Sequence, residues 1–238
     1  MHQEKIAIIP ARAGSKRCPN KNTALFKGKT MVAHTIEQAL ESNIFDRIIF
    51  SSDDTHALEI AKQYEVTIDN RDSALARDDA PLIDLLRYLI SKYNLDGENV
   101  VGLLLVTGPL RSVEDINRAL ELFLETDQAE SVVSVTVNEN PVEMSWRKVG
   151  GHLQPLFSDN KTTRKQDFEE TFRYNDAVIF DLAKNFMNPD RNLYGKAPVP
   201  YIMPPERSIN IDYEFQLKLA QLIGDYYEQM DDPKKGNS

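Results

Sequence analysis

Residues 6–22 read IAIIPARAGSKRCPNKN, and no other stretch restricts the fold as tightly. The apolar run at 6–9 has the composition of a short strand covered on both faces. Pro10 cannot donate to a sheet ladder, so the strand is expected to end there. A loop follows, with Gly14 and Ser15 at its bend and four cations, Arg12, Lys16, Arg17 and Lys21. A glycine-containing loop leaving a first strand aims backbone N–H groups at phosphate oxygens, and cations add charge-assisted hydrogen bonds. A solvated basic turn has the same composition, so the loop alone leaves both readings open. Two familiar phosphate motifs are absent. Residues 28–30 supply a GKT ending, but the earlier glycine of a Walker loop would have to sit at Thr23, and there is no GxGxxG.

Downstream, strand-like and helix-like segments alternate. Thr30 can cap a helix carrying Val32, Ile36, Ala39 and Leu40 on one face. Residues 47–51 form a second strand, and Ser51, Ser52, Asp53 and Asp54 lead into a helix with Ala57, Ile60, Ala61 and Tyr64 inward. A third short strand is expected at 66–68, followed by Arg71, which the pattern alone leaves as a surface charge. Leu82, Leu85, Leu86, Leu89, Ile90 and Tyr93 make a core stripe on the next helix. The strongest strand signal, 100–106, should be central, and Ser112 with Asp115 has capping-box spacing before another amphipathic helix. A further strand covers 131–137. Residues 208–212 alternate like a last strand ahead of a helix with Phe215, Leu219, Leu222, Ile223 and Tyr226. The alternation predicts an α/β fold with a doubly wound, mostly parallel sheet, whose ligands bind beyond the carboxyl ends of the strands.

The 238 residues suit one domain over 1–230, with 231–238 as a flexible tail. Between 138 and 173 the chain turns polar, with a hairpin signal at Gly150 and Gly151 and the only tryptophan, Trp146, so this segment must pack on something else. A net charge of −9 argues against nucleic acid or a membrane surface as partner, so a polyanionic ligand must be met by a local cluster of cations. The single cysteine, Cys18, excludes an internal disulfide and fits a reducing cytoplasm; no motif makes it a nucleophile. No apolar run approaches the ~18 residues that span a bilayer, and no signal-peptide pattern is present.

A strand ending in IIPAR, then GSK and a KN pair, resembles the N-terminal signature of the acylneuraminate cytidylyltransferases, enzymes that activate sialic and related nonulosonic acids with CTP. The resemblance extends from 6 to about 220 and implies a nucleotide-diphospho-sugar transferase-like, Rossmann-like fold with a protruding dimerisation arm at 138–173. It implies nucleotide contacts from Ala11, Arg12, Gly14, Ser15, Lys21, Asn22 and Arg71, and catalytic roles for Arg12, Lys16, Lys21 and Asp212. The family's Gln-Pro-Thr-Ser-Pro-Leu-Arg segment is matched by Thr107, Pro109, Leu110 and Arg111, with Leu105, Val106 and Gly108 in place of Gln, Pro and Ser. Leu105, at the sugar-facing position, cannot hydrogen-bond. Arg164, Arg173 and Asn175 are the remaining sugar candidates, since a sugar carboxylate calls for a cation, and Asp176 stands where the family has glycine. Asn210 and Asp212 fall on the family's paired aspartates, which implies Mg²⁺ held by Asp212 with Asn210 as a neutral ligand. Asp212 also suits a helix cap. The implied partners are CTP, a nine-carbon ketoaldonic acid and a second copy of the chain. The departures leave two other readings open, a non-catalytic nucleotide-sugar-binding paralogue and a nucleotidyltransferase for another sugar.

Overall fold

A computed structural model describes residues 3–127, 129–157 and 164–231. Residues 232–238 of the tail expected at 231–238, and residues 158–163 of the expected arm, lie outside the described residues.

The chain opens with β1 (Lys5–Ala11), a small β2 (Leu25–Phe26) and β3 (Lys29–Thr30) ribbon, α1 (Met31–Glu41), β4 (Arg47–Ser52), α2 (Thr55–Ala61) and β5 (Thr67–Asn70). It continues through α3 (Leu82–Lys92), β6 (Val100–Leu103), α4 (Val113–Glu125) and β7 (Val132–Val137). An exposed hairpin, β8 (Trp146–Val149) and β9 (His152–Pro155), precedes the long β10 (Phe172–Leu182), α5 (Ala183–Phe186), β11 (Val199–Ile202) and α6 (Glu214–Asp231). The seven-stranded sheet runs β11-β7-β10-β6-β1-β4-β5, all parallel except β10, which is antiparallel to β6 and β7. One face packs on α1, α2 and α4 through Ile36, Phe50, Ile116 and Phe180, and the other on α3 and α5 through Ile8, Leu86, Leu89 and Phe186. The expected doubly wound, mostly parallel α/β sheet is therefore present.

The local signals work as physics requires. Thr30 accepts from Ala33 N–H at the start of α1, and Asp54 accepts from His56 and Ala57 N–H at the start of α2. Ser112 and Asp115 close a reciprocal capping box, and Asp115 also pairs with Arg207.

Three expectations need correction. Pro10 does not stop β1, which stays paired with β4 through Ala11. Even-numbered residues of β1 turn their backbone to β6, since Val100 N–H donates to Glu4 O and Leu104 N–H to Ile8 O. The ladder to β6 ends at Ile8, so the N–H that Pro10 lacks would have had no strand to meet. The strand expected at 100–106 is paired only over 100–103, because beyond it the chain turns toward the site. The strand expected at 208–212 is not one. Ile211 N–H donates to Thr107 O and Ile211 is fully buried, so the alternation reflects a loop pressed against the segment after β6. The antiparallel β10 is not among the expected strands; only its first two residues, Phe172 and Arg173, fall in the polar 138–173 segment.

Candidate active site

Most of the expected nucleotide and metal residues collect at one edge of the sheet, where β1, β4, β5 and β6 end. The loop after β1 is fixed from beneath. Gly14 takes a left-handed φ of +78°, a conformation that side chains resist, although a Cβ there would meet nothing. Ala13 N–H donates to Asp53 at 2.7 Å, and the buried Asn22 amide donates to Arg12 O at 2.7 Å. Asp53 thus ties the loop to the end of β4, while its neighbour Asp54 caps α2.

Two neighbouring hollows, which share Arg12, Lys21 and Asp78 in their walls, open above this edge. One, of about 260 Å³, is lined by Ala11, Asn22, Arg71, Leu85, Leu105 and Thr107, among others, and is half apolar. The other, of about 290 Å³, is lined by Arg12, Ser15, Lys16, Arg17, Lys21, Asp78 and Asp212. Arg71 reaches the first from β5, and its guanidinium is almost wholly buried. Arg71 Nη2 donates to Ser51 O at 2.7 Å and Nε to Ser51 Oγ at 3.2 Å. Burial pushes its pKa down to about 10, against the pull of Asp53 and Asp69. The surface reading of Arg71 is therefore wrong, since it is a buried cation at the rim of a cavity.

Lys21 donates to Ile211 O at 3.1 Å and lies 3.8 Å from Asp212. Burial lowers its pKa, with Asp212 opposing the shift. Arg17 pairs with Asp212 at 3.2 Å and sits 4.9 Å over the Tyr213 ring. The Asp212 carboxylate is not a helix cap. Its oxygens face Arg17 and Lys21, and Gln216 Oε1 takes the N–H groups of Asp212 and Tyr213 at the start of α6. Asn210 donates its Nδ2 to Asp176 at 2.7 Å, while its Oδ1 is buried without a hydrogen-bond partner. Asp176 occupies a left-handed φ of 56° in a bulge of β10, where the register with β7 shifts between Tyr174 and Ile179. Tyr194 also donates to Asp176, at 3.3 Å, and burial raises this carboxyl's pKa. Gly108 packs closely on this bulge, where a Cβ would sit 3.2 Å from Ala177 Cα.

The proposed sugar residues fare unevenly. Leu105 lines the first hollow. Asn175 needs correction as a sugar contact: it is 1% exposed, and its amide is spent on Ser208 Oγ and Ala177 N–H. Arg173 lies exposed on β10 beside Thr136, and Arg164 sits out on the arm, 3.5 Å from Asp167. Neither lines the two hollows. Sequence reasoning missed Asp78, which joins both hollows, and the Tyr174–Tyr194 stack, with ring centroids 3.9 Å apart. It also missed that Arg111 is a fully buried tether, donating to Leu105 O, Ala177 O and Gln38 Oε1. No local signal marks these residues, because their partners lie many residues away.

The sequence profile of the cytidylyltransferase family matches residues 6–231. The chain belongs to the cytidylyltransferase family. This cytidylyltransferase-family chain is 31% identical over 226 residues to the N-acylneuraminate cytidylyltransferase of Streptococcus agalactiae, spanning 93% of itself but 54% of that protein. The chain thus spans about half the length of that relative. Identity to the pseudaminic acid cytidylyltransferase of Campylobacter jejuni is 29% over 224 residues, covering 92% of this chain and 96% of the other. The CMP-N,N'-diacetyllegionaminic acid synthase of Legionella pneumophila is 32% identical over 229 residues, covering 92% and 95%. Among solved structures, CMP:2-keto-3-deoxy-manno-octonic acid synthetase complexed with CTP aligns over 96% of this chain and 100% of its own, with a TM-score of 0.66 at 14% identity. That likeness is one of fold.

Proposed function

We propose that this protein transfers CMP from CTP to the anomeric hydroxyl of a nonulosonic acid, a nine-carbon ketoaldonic sugar, and releases pyrophosphate. The observation that carries the reading is the second hollow, where Arg12, Ser15, Lys16, Arg17 and Lys21 from one loop face Asp212 across a cavity of polyphosphate size. The half-apolar hollow beside it, with Arg71 and Asn22, suits the cytidine. The relatives named for sialic, pseudaminic and legionaminic acids support the sugar class.

The sugar hydroxyl attacks the α-phosphorus and gives its proton up to water, a P–O bond to the sugar forms, and the bond to pyrophosphate breaks in line. Such transfers depend on positioning and charge stabilisation. Arg12, Ser15 and Lys16 hold the triphosphate oxygens, and Lys21, fixed by Ile211 O, meets the charge that develops on the leaving group. The residues present fit a divalent cation. No cluster of three or more acidic, histidine or cysteine ligands occurs among the described residues, but Mg²⁺ commonly takes one or two carboxylates and completes its shell with phosphate and water. Asp212 supplies the carboxylate, and Asn210, two residues earlier, has an unclaimed carbonyl oxygen. When bound, Mg²⁺ would neutralise phosphate charge.

The same reading includes a homodimer in a reducing cytoplasm, since Cys18 is free. Trp146, Leu153, Leu156 and Phe157 are exposed on and beside the hairpin, which suits docking on a second copy and would bring Arg164 or Arg173 to a shared sugar site. Light scattering at micromolar concentration should return twice the 27.1 kDa chain mass. The function is tested by incubating the protein with CTP, Mg²⁺ and a panel of nonulosonic acids while following pyrophosphate. Release with at least one sugar is expected. CTP binding without release for any sugar would make it a binding paralogue.

A further inference from the structure

Asp78 lies in the turn between a 3-10 segment at Ser73–Leu75 and the start of α3. Its two carboxylate oxygens are divided between two cations of the loop after β1. Oδ1 accepts from Arg12 Nη1 at 2.8 Å, and Oδ2 lies 2.7 Å from Lys16 Nζ. Arg12 Nη1 also donates to Arg77 O at 3.3 Å. The neighbouring side chains, Arg77 and Asp79, pair with each other, so they do not compete for this contact. Asp78 lines both hollows, and so does Arg12, whereas Lys16 lines only the phosphate hollow. The carboxylate therefore stands across the passage between the two hollows, on the cations that a polyphosphate needs.

We propose that Asp78 is a latch that selects ligands by phosphate number: it occupies Arg12 and Lys16 until a ligand with at least two phosphoryl groups displaces it. The inference rests on the nucleoside lying in the half-apolar hollow. An α-phosphate at that position meets Arg12, which borders both hollows, but reaching Lys16 takes further phosphoryl groups. A triphosphate replaces both contacts of Asp78 and opens the passage. A product carrying one phosphoryl group replaces at most one, so Asp78 recloses once pyrophosphate has left. The mutual effect of the pair agrees with this, since their hydrogen bond pushes Lys16 up and Asp78 down from their ordinary pKa values. Asp78 is half-exposed, so the latch is weak enough to open. Exposed ion pairs are each worth about 1.4- to fivefold in an equilibrium constant, which puts the two together at about two- to thirtyfold.

The test is calorimetric titration of wild type, Asp78→Asn, Asp78→Ala and Asp78→Glu with CTP, inorganic tripolyphosphate and CMP. Removing the charge is expected to tighten CTP and tripolyphosphate by about two- to thirtyfold, and CMP by at most the share of one contact, about 1.4- to fivefold and less than CTP. Asp78→Glu should stay near wild type, and the gain in the neutral variants should shrink as salt rises. Unchanged or weaker binding of both polyphosphates in the neutral variants would overturn the latch. Equal tightening of CMP would also overturn it, by revealing a general loss of negative charge. Tripolyphosphate separates this claim from the reading it rests on. If wild type binds tripolyphosphate but not CTP, the nucleotide assignment fails, and the latch stands or falls on tripolyphosphate alone.

Discussion

Arg71→Met separates a functional arginine from a structural one. Met keeps much of the length and apolar volume and removes the guanidinium. Two terms act on stability. Burial lowers the Arg71 pKa from 12.5 to about 10, equivalent to roughly 3 kcal/mol spent on keeping the charge in the interior. Arginine stays protonated at any working pH, so the folded state carries that cost throughout. Against it stand the bonds to Ser51 O and Ser51 Oγ, each worth about 1.5–3 kcal/mol for a charged donor. The terms largely cancel, and the net loss is about 0–3 kcal/mol. At roughly 2–4 °C per kcal/mol for a chain of this size, Tm should fall by no more than about 12 °C. Binding has no such compensation. Losing one charged hydrogen bond to the nucleotide costs about 1.5–3 kcal/mol, or roughly 10- to 150-fold in CTP affinity. Thermal unfolding without nucleotide and CTP titration read the two effects separately. In turnover, KM should rise with kcat largely spared, as for an interaction made equally in ground and transition states. Near-normal CTP affinity together with a stability loss above about 5 kcal/mol would refute this and make Arg71 a strut for β4.

Lys21→Ala should cost about 10²–10³ in turnover while the fold survives, and normal pyrophosphate release would remove Lys21 from the mechanism. Because the Lys21 pKa is lowered, its charge is lost at lower pH than an ordinary lysine's. Triphosphate affinity should therefore fall as pH rises through that lowered value, and Lys21→Arg should hold affinity to higher pH in the same titration. In Mg²⁺ titrations of initial rate, Asn210→Asp should lower the Mg²⁺ requirement and Asp212→Asn should nearly abolish turnover; full activity of Asp212→Asn would sink the metal assignment. Cys18 is 3% exposed and burial raises its thiol pKa, so a thiol reagent should modify the native protein far more slowly than the denatured one, and fast labelling would contradict that burial. Gly102→Ala should cost about 1–3 kcal/mol by denaturant unfolding, because the new Cβ would lie 2.7 Å from Phe180 and 2.8 Å from Phe45.

Local chemistry is legible wherever it is contiguous in the chain. The apolar run before Pro10, the cations around Gly14, the Thr30 and Asp54 caps and the Ser112–Asp115 box are all short-range, so their spacing already dictated strand, loop and helix starts. The order of those elements is enough to place the loop at the carboxyl edge of a parallel sheet. What the sequence could not specify depends on residues far apart in the chain. Whether Pro10 ends a strand depends on which neighbour its backbone faces, and that is set by β6, some ninety residues later. Asp212 looks like a cap until its carboxylate is seen turned to Arg17 and Lys21, with Gln216 taking the N–H groups at the start of the helix. Asn175 looks like a free amide until Ser208 and Ala177 close on it. Arg71 looks like surface charge until β4 and β5 wall it in against Ser51. In each case the side chain's chemistry was fixed by the sequence, but its partner and its share of solvent were fixed only by packing. A polar group's role follows from whether its hydrogen bonds are already spent inside the fold or remain for a ligand.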